Sequence, residues 1–488
     1  MSYDKTLAVK CINGTFVGTK TENVISFKGI PFVGQQPVGK LRWKAPVEYV
    51  PDGGVYEAFH FPKAACQEKN LIPYQGEDCL YLNVWKADDG SKEKKPVMVW
   101  IHGGAFTSGG TGIELFDCAN LAKEHPDVIF VTLQYRLGAL GFLHLSHLPD
   151  GADYPDAQNL GLLDQQMALK WVHENIAAFG GDPGNVTIWG ESAGAGSVTM
   201  QPLIKGSKQY FQKVIAQSGA PCQTLSREEA IEAANDLMAA LGCKTVADLM
   251  KLDARTLVDT AIQTIAFRMF PERDGRILPL DTWKEYANGA ARDIVFLQGC
   301  NKDEMNCFVA DWGVENFKAW AKNRKTKKYA HLLTEEEKAK IESFCREGAV
   351  EDWEPDSRLF SHSWFIDATI KMSEIQTLAG GKSYTYYYRV ESSDPIRKSA
   401  HFEEVPIVFA HPEFVDGRPY DPAFSKAMRQ MWVQFARTGV PSPDWPLYDL
   451  KDRKVMVLDE FDIHPAKESE VHIVDWDRTW FLTKYYML

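Results

Sequence analysis

Short apolar runs rich in β-branched residues alternate along the chain with longer segments of helical periodicity. Six of these runs predict β-strands, at residues 97–101, 128–133, 186–189, 214–216, 294–297 and 384–388. They are almost continuously apolar, which is typical of strands that helices cover on both faces. Strands alternating with helices indicate an α/β fold, with a large and mostly parallel central sheet flanked by helices.

Local signals also predict where several helices begin and end. Ser226 with Glu229, and Thr334 with Glu337, have the spacing of capping boxes at helix N-termini. Gly242 follows the first of these helices at the position where a glycine ends one. A further apolar helical pattern at 162–176 ends before the glycine-rich stop at 179–183.

The stretch from about 305 to 375 differs from the rest of the chain because it is richer in charge and has little strand signal. We predict a helical insertion here, over the C-terminal edge of the sheet, where loops shape a pocket. The 488 residues exceed the usual domain length of roughly 100–200 residues. Because the chain has no internal repeat and no low-complexity linker, we expect a single domain over residues 1–488.

Composition and charge exclude several classes of protein. The net charge of −12 argues against binding nucleic acid or an anionic membrane through a basic face. No apolar run approaches the ~20 residues that span a bilayer. The N-terminal residues lack the apolar core and cleavage site of a secretory signal, so we expect a cytoplasmic protein.

Nine cysteines in a chain of this length do not form a disulfide scaffold. The sequence has no Cys-x-x-Cys pair and no His-Glu-x-x-His segment, so it indicates no metal site. We also expect no cofactor. The oligomeric state is not predicted by any pattern in the chain.

The segment around Ser192 carries a candidate nucleophile. Gly190, Ser192 and Gly194 form the pattern Gly-x-Ser-x-Gly, directly after the apolar run at 186–189. Small residues then follow, at the point where a helix would begin. A nucleophile elbow needs this arrangement, because a tight strand-to-helix turn leaves room only for small neighbours around the serine.

A glycine-rich loop after the run at 97–101 is a candidate oxyanion hole. Acyl transfer places negative charge on the carbonyl oxygen, so backbone N–H groups must approach that oxygen without a side chain in the way. Gly103, Gly104 and Ala105 supply this access, and the N–H of Ala193 would complete the hole. We interpret His102, in the same loop, as a structural residue.

A serine nucleophile also needs a base and a carboxylate that orients it. In this fold the chain order is serine, acid, histidine. Asp303 and Glu304 both follow the run at 294–297, and their spacing does not decide which of them is the acid. The downstream histidines are His331, His362, His401, His411, His464 and His472. Of these, His401 follows the strand predicted at 384–388 by the length of a loop.

Several separated motifs together resemble the type-B carboxylesterase family, which also contains the cholinesterases. They stand at residues 27–32, 39–43, 77–83, 102–106, 159–165, 179–183, 190–194 and 432–441. The resemblance covers nearly the whole chain and implies the α/β-hydrolase fold and ester hydrolysis.

The family's acid falls on Glu304 rather than Asp303, although Met305 stands where the family has glycine. The family's histidine motif is matched by His401, Glu404 and Phe409, with Ala400 in place of the usual glycine.

The resemblance also implies structural pairs. Two salt bridges are expected, Arg42 with Glu77 and Arg136 with Asp164. The family's first disulfide corresponds to Cys66–Cys79. The loop between these cysteines contains no tryptophan of the kind that holds choline in cholinesterases, and Tyr74 is its only aromatic residue. Choline esters are therefore not expected to be the preferred substrates.

These observations together predict a serine esterase acting on small-molecule esters, with Ser192 as nucleophile, His401 as base and Glu304 as acid. Three alternatives remain open at this point. They are a catalytically silent adhesion or interaction protein of the same fold, a lipase, and an amidase using the same triad.

Overall fold

The computed structural model describes residues 4–69, 71–325, 334–414 and 421–471. The chain divides into two compact units. The first unit comprises Met1–Ile215 and Gln223–Glu285, and the second comprises Ala216–Cys222 and Tyr286–Leu488.

The first unit contains six strands that are hydrogen-bonded side by side in the order β11-β9-β10-β8-β4-β3. The strands of this unit are β1 Ala8–Cys11, β2 Gly14–Val17, β3 Thr19–Thr21, β4 Val24–Pro31, β5 Val55–Glu57, β6 Ala64–Ala65, β7 Gln75–Gly76, β8 Tyr81–Ala87, β9 Lys95–Ile101, β10 Ile129–Leu133 and β11 Gly181–Glu191. Strand β9 pairs in parallel with both β10 and β11, with Val99 opposite Val131 and Ile188. β8, β4 and β3 extend the sheet by antiparallel pairing.

Helices alternate with these strands. They are α1 Ala119–Glu124, α2 Gly138–Gly141, α3 Leu160–Asn175, α4 Ala193–Met200, α5 Arg227–Leu241, α6 Val246–Leu249 and α7 Ala254–Ile265. The predicted capping box is present at α5, where Ser226 accepts from the N–H of Glu229, and Gly242 ends the helix in the left-handed conformation. Strand β12, Lys213–Gln217, and helix α8, Thr282–Ala287, contain residues of both units.

The second unit contains a parallel arrangement of β13, β14 and β15, with β16 antiparallel at its edge. Its strands are β13 Val295–Asn301, β14 Lys382–Tyr388, β15 Lys454–Leu458 and β16 Ile463–Lys467. Its helices are α9 Asn306–Trp312, α10 Val314–Arg324, α11 Glu335–Arg346, α12 Glu354–Ser361, α13 Asp367–Leu378, α14 Val405–Val408 and α15 Pro422–Thr438, with a π-helical turn at His362–Ile366.

The described part of the stretch from 305 to 375 is helical, as predicted, and α11 begins at the predicted capping box of Thr334 and Glu337. Its apolar side chains form a core of their own. Met305, Phe317, Trp353 and Phe360 are among the buried members of this cluster. That the stretch lies over the edge of a sheet, and that the chain is one domain, stay predictions.

Both expected salt bridges are present in the first unit. Arg136 Nη2 lies 2.6 Å from Asp164 Oδ1, and both side chains are buried. Arg42 Nε lies 2.5 Å from Glu77 Oε2. Buried ion pairs of this kind require that both partners remain, because removal of one leaves an uncompensated charge.

Candidate active site

Ser192 lies at a sharp turn between β11 and α4. Its backbone has φ 55° and ψ −122°, in a region that residues other than glycine rarely adopt. Such strain persists only where the surroundings enforce it, and it occurs mostly at functional sites. The predicted nucleophile elbow is therefore present in the backbone.

The two glycines of the motif are required by close backbone packing around this turn. A methyl group at Gly194 would lie 2.0 Å from the carbonyl oxygen of Ile101, and one at Gly190 would lie 2.6 Å from the same oxygen. Real side chains do not tolerate contacts this short. Strand β9 and the elbow thus pack together because neither position carries a side chain.

The loop at Gly103–Ala105 lies against the elbow. A methyl group at Gly103 would lie 2.7 Å from the backbone oxygen of Glu191 and 3.1 Å from Ser192 Cβ. Gly104 has φ +103°, and Ala105 continues the turn with φ 52°. Among the described residues, the N–H groups of Gly104 and Ala105 have no hydrogen-bond acceptor.

Ala193 is the first residue of α4. The first four N–H groups of a helix have no intrahelical acceptor, so its N–H is available to a ligand. Helix N-termini also favour negative charge. Gly104, Ala105 and Ala193 therefore belong to one unit of the structure and offer unused donors beside the elbow.

His102 is fully buried and has the structural role that the sequence suggested. Its Nδ1 lies 2.8 Å from the backbone oxygen of Gly103, and its ring stacks on Tyr135 with centroids 4.5 Å apart. Burial lowers the pKa of this imidazole to about 4. A neutral ring held in this way stabilises the loop.

Glu304 and His401 form a close pair in the second unit. His401 Nδ1 lies 2.6 Å from Glu304 Oε2, and the backbone N–H of His401 donates to the Glu304 carbonyl at 3.1 Å. Both side chains are buried. One face of the imidazole lies against Phe365, with ring centroids 4.4 Å apart. The carboxylate fixes the orientation and tautomer of the ring, which leaves Nε2 to act as a base.

The carboxylate of Asp303, the alternative that spacing left open, contacts the backbone instead of the imidazole. Its Oδ2 accepts from the N–H of Ser399 at 3.4 Å, and burial raises the pKa of its carboxyl. Met305, which replaces the family's glycine, is buried, and its N–H donates to Ser361 Oγ at 2.9 Å. The departure from the family pattern is accommodated by the helical cluster.

Two contacts of Glu304 were missed by sequence reasoning. The Ser218 hydroxyl donates to Glu304 Oε1 at 2.6 Å, and the N–H of Asn301 donates to the same oxygen at 2.7 Å. Ser218 follows β12 and has φ 56°. The only sequence signal was its position two residues after the apolar run at 214–216, which is too general to single out a serine.

Glu404 and Phe409, the other two residues that match the histidine motif, are both buried. Glu404 is buried and accepts from Asn301 Nδ2 at 2.7 Å and from Gln217 Nε2 at 2.9 Å. Phe409 is fully buried. Through its two hydrogen bonds, Glu404 connects the segment that carries His401 to the ends of β12 and β13.

The other candidate histidines have separate partners or fall outside the structure. His362 Nδ1 lies 3.1 Å from Asp367 Oδ1, and His411 Nδ1 lies 2.8 Å from Glu413 Oε1. His464 is half exposed beside Asp462. His331 and His472 lie outside the described residues.

The disulfide that the resemblance implied is not formed. Cys66 and Cys79 both carry free thiols and line the same small cavity. Burial raises the pKa of the Cys66 thiol to about 11 and that of Cys79 above its usual range. The thiolate is the reactive form of cysteine, so burial lowers the reactivity of both thiols.

Metal sites and membrane-spanning helices are both absent from the described residues. No group of three or more His, Cys, Asp or Glu side chains in that part of the chain could hold a metal ion. No helix there combines the length and the apolar composition that a bilayer crossing requires.

An elbow serine after a parallel strand, a glycine loop packed on the elbow, and a buried carboxylate–histidine pair are features of the α/β-hydrolase class. The model of the carboxylesterase family matches residues 5–472. The chain belongs to the carboxylesterase family. The predicted fold class, a large and mostly parallel sheet flanked by helices in an α/β-hydrolase, is confirmed.

Curated relatives and solved structures agree with this assignment. The para-nitrobenzyl esterase of Bacillus subtilis is 34% identical over 490 residues, covering 94% of this chain and 96% of that protein. Carboxylesterase 1D of Mus musculus is 30% identical, covering 88% and 85% of the two chains. The crystal structure of carboxylesterase EST55 from Geobacillus stearothermophilus matches with a TM-score of 0.85 at 31% identity, covering 95% of this chain and 98% of that one.

Proposed function

We propose that this protein hydrolyses uncharged or weakly charged carboxylic esters through an acyl-enzyme formed at Ser192. The observation that carries this proposal is the strained backbone of Ser192, with φ 55° at a turn closed by Gly190 and Gly194. A strained serine at a strand-to-helix turn is the geometry of a nucleophile elbow.

In the first half of the reaction, the Ser192 hydroxyl attacks the ester carbonyl and His401 Nε2 takes its proton. Glu304 keeps the His401 ring in the required tautomer and stabilises the imidazolium that forms. The proton then passes from His401 to the leaving alcohol. In the second half, His401 activates a water that releases the acid from Ser192.

The N–H groups of Gly104, Ala105 and Ala193 are proposed to bind the oxyanion, with Gly103 supporting the loop. Two observations support this assignment. The first is that the N–H groups of Gly104 and Ala105 have no acceptor among the described residues, and the second is the position of Ala193 at the start of α4. Preorganised donors of this kind contribute about 2.7–4 kcal/mol each to transition-state stabilisation.

The substrate class is a small-molecule ester. A relative named acetylcholinesterase, from Leptinotarsa decemlineata, is 30% identical. The loop between Cys66 and Cys79 nevertheless holds Tyr74 as its only aromatic residue, and that residue is exposed. This composition favours neutral esters over choline esters.

The expected location remains the cytoplasm.

The test is release of p-nitrophenol from acetate, butyrate and octanoate esters by the wild-type chain and by Ser192→Ala. We expect an initial burst from the wild type and a loss of at least ~10³-fold in kcat for the variant. Circular dichroism checks that the variant keeps its fold. A folded wild-type protein that cleaves none of the three esters contradicts the proposal and favours a silent interaction protein.

A further inference from the structure

A second serine in the first unit contacts a histidine, which in turn contacts a buried carboxylate. Ser146 Oγ lies 3.0 Å from His144 Nε2, and His144 Nδ1 lies 2.6 Å from Glu272 Oε2. The order of groups is hydroxyl, imidazole, carboxylate. These residues take no part in the mechanism proposed above.

The carboxylate of this group is firmly held. Glu272 is fully buried, and its other oxygen accepts from Arg227 Nε at 3.1 Å. Its backbone exchanges two hydrogen bonds with the Asn159 side chain, of 2.9 and 3.0 Å. The carboxylate therefore stays where it accepts the Nδ1–H of His144.

This contact fixes the tautomer of His144 with its lone pair on Nε2, facing the Ser146 hydroxyl. The two residues differ in exposure. His144 is buried, with 3% of its surface exposed, whereas Ser146 is an exposed residue. A base shielded from water thus lies behind a serine that a reagent can approach.

We propose that Ser146 is a second nucleophile, which reacts with activated aryl esters and fluorophosphonates through general-base assistance from His144. With a fluorophosphonate, a bond forms between Ser146 Oγ and phosphorus, the phosphorus–fluorine bond breaks, and fluoride leaves. The hydroxyl proton passes to His144 Nε2 and then to water. With an aryl ester, the phenolate leaves in the same way and an acyl-serine remains.

The surroundings of Ser146 favour a single modification over turnover. Glycines stand two residues before and two residues after Ser192. The same positions around Ser146 hold His144 and Leu148. A backbone that carries such side chains does not bring N–H donors close to a reacting carbonyl as the elbow does. The adduct at Ser146 is therefore expected to be stable.

The experiment uses Ser192→Ala, so that the proposed active-site nucleophile is absent. The full-length variant is incubated with a fluorophosphonate, digested, and analysed by mass spectrometry of the peptide that contains Ser146. We expect this peptide to be labelled at least ~10²-fold faster than the peptide with Ser91, because a general base contributes that factor or more. Ser91 is exposed too, but its oxygen accepts from the N–H of Glu93.

A matched pair of variants in the same background tests the base. His144→Gln is expected to slow labelling of Ser146 by about 10²-fold, whereas His147→Gln leaves the rate unchanged. His147 is exposed, contacts Asn235 Oδ1 at 3.0 Å and packs its ring against that of His144, with centroids 5.2 Å apart. This variant therefore controls for altered packing around His144 without removal of the base. If His144→Gln loses its fold, the comparison of labelling rates between Ser146 and Ser91 tests the proposal by itself.

A folded Ser192→Ala protein that labels Ser146 no faster than Ser91 overturns the proposal. So does a folded His144→Gln variant that labels as fast as its parent. The result is separate from the test of ester hydrolysis, because in wild-type protein the peptides with Ser146 and Ser192 are read independently.

Discussion

The Glu304 carboxylate contacts the His401 imidazole at 2.6 Å, across 97 positions of the chain, while the neighbouring Asp303 accepts from the Ser399 backbone instead. Successive residues in the turn after β13 point in different directions. A shift of one position along the chain therefore decides which carboxylate orients the histidine.

Glu304→Gln is expected to lower kcat for p-nitrophenyl esters by about 10³–10⁴-fold, because an amide does not hold the imidazole in the required tautomer. Asp303→Asn is the matched control and is expected to lower kcat by less than about tenfold. Steady-state kinetics on both purified variants provides the measurement. Equal losses in the two would remove the assignment of Glu304 as the acid.

Ser218→Ala removes the hydroxyl that donates to Glu304 Oε1 at 2.6 Å. Because a hydrogen bond to a charged group contributes about 1.5–3 kcal/mol, kcat is expected to fall by about tenfold or more with little change in KM. Ser399→Ala is the control, since that buried hydroxyl donates to the Tyr388 backbone at 3.0 Å rather than to Glu304. A Ser218→Ala enzyme as active as the control would show that this contact does not support catalysis.

Gly194→Ala tests the packing of the elbow. The added methyl group would lie 2.0 Å from the Ile101 carbonyl oxygen, so backbone must shift. We expect the free energy of unfolding to fall by about 1–3 kcal/mol or more, together with a loss of esterase activity. Urea unfolding followed by circular dichroism measures the first effect.

Gly53→Ala is the control for that substitution, because a methyl group there meets nothing within 4 Å. Its free energy of unfolding should change by less than about 1 kcal/mol. If Gly194→Ala is as stable and as active as Gly53→Ala, the close approach of β9 to the elbow is not needed.

Because His102 is buried, we predict that the free energy of unfolding falls at acid pH. Its pKa is about 4 in the folded protein, against 6.5 for the free side chain. Between these values the unfolded chain binds more protons, so this residue's contribution is complete above pH 6.5 and is lost as the pH falls toward 4. The loss amounts to about 3 kcal/mol, at 1.36 kcal/mol for each pKa unit.

His102→Gln is expected to flatten the fall in the free energy of unfolding between pH 6.5 and pH 4, measured by urea unfolding at a series of pH values. His147→Gln, at an exposed site, should show the same dependence of the free energy of unfolding on pH as the wild type. An unchanged slope in His102→Gln would mean that other groups cause the acid sensitivity.

Local chemistry along the chain determined much of this protein. The strands, the capping box at Ser226 and Glu229, and the stop at Gly242 follow from interactions between residues a few positions apart. The elbow at Ser192 was also predictable, since its glycines and the strand before it are contiguous in sequence. The resemblance to a family added Glu304, His401 and the two salt bridges.

Tertiary structure alone decided which groups contact Glu304, the carboxylate proposed as the acid. Ser218 reaches Glu304 across 86 positions, and Gln217 reaches Glu404 across 187. Likewise, nothing in the spacing of Ser146 and His144 revealed Glu272, which lies 128 positions from His144. Such contacts form where packing brings strands and loops together. The local pattern of a sequence does not show which distant residues will lie side by side.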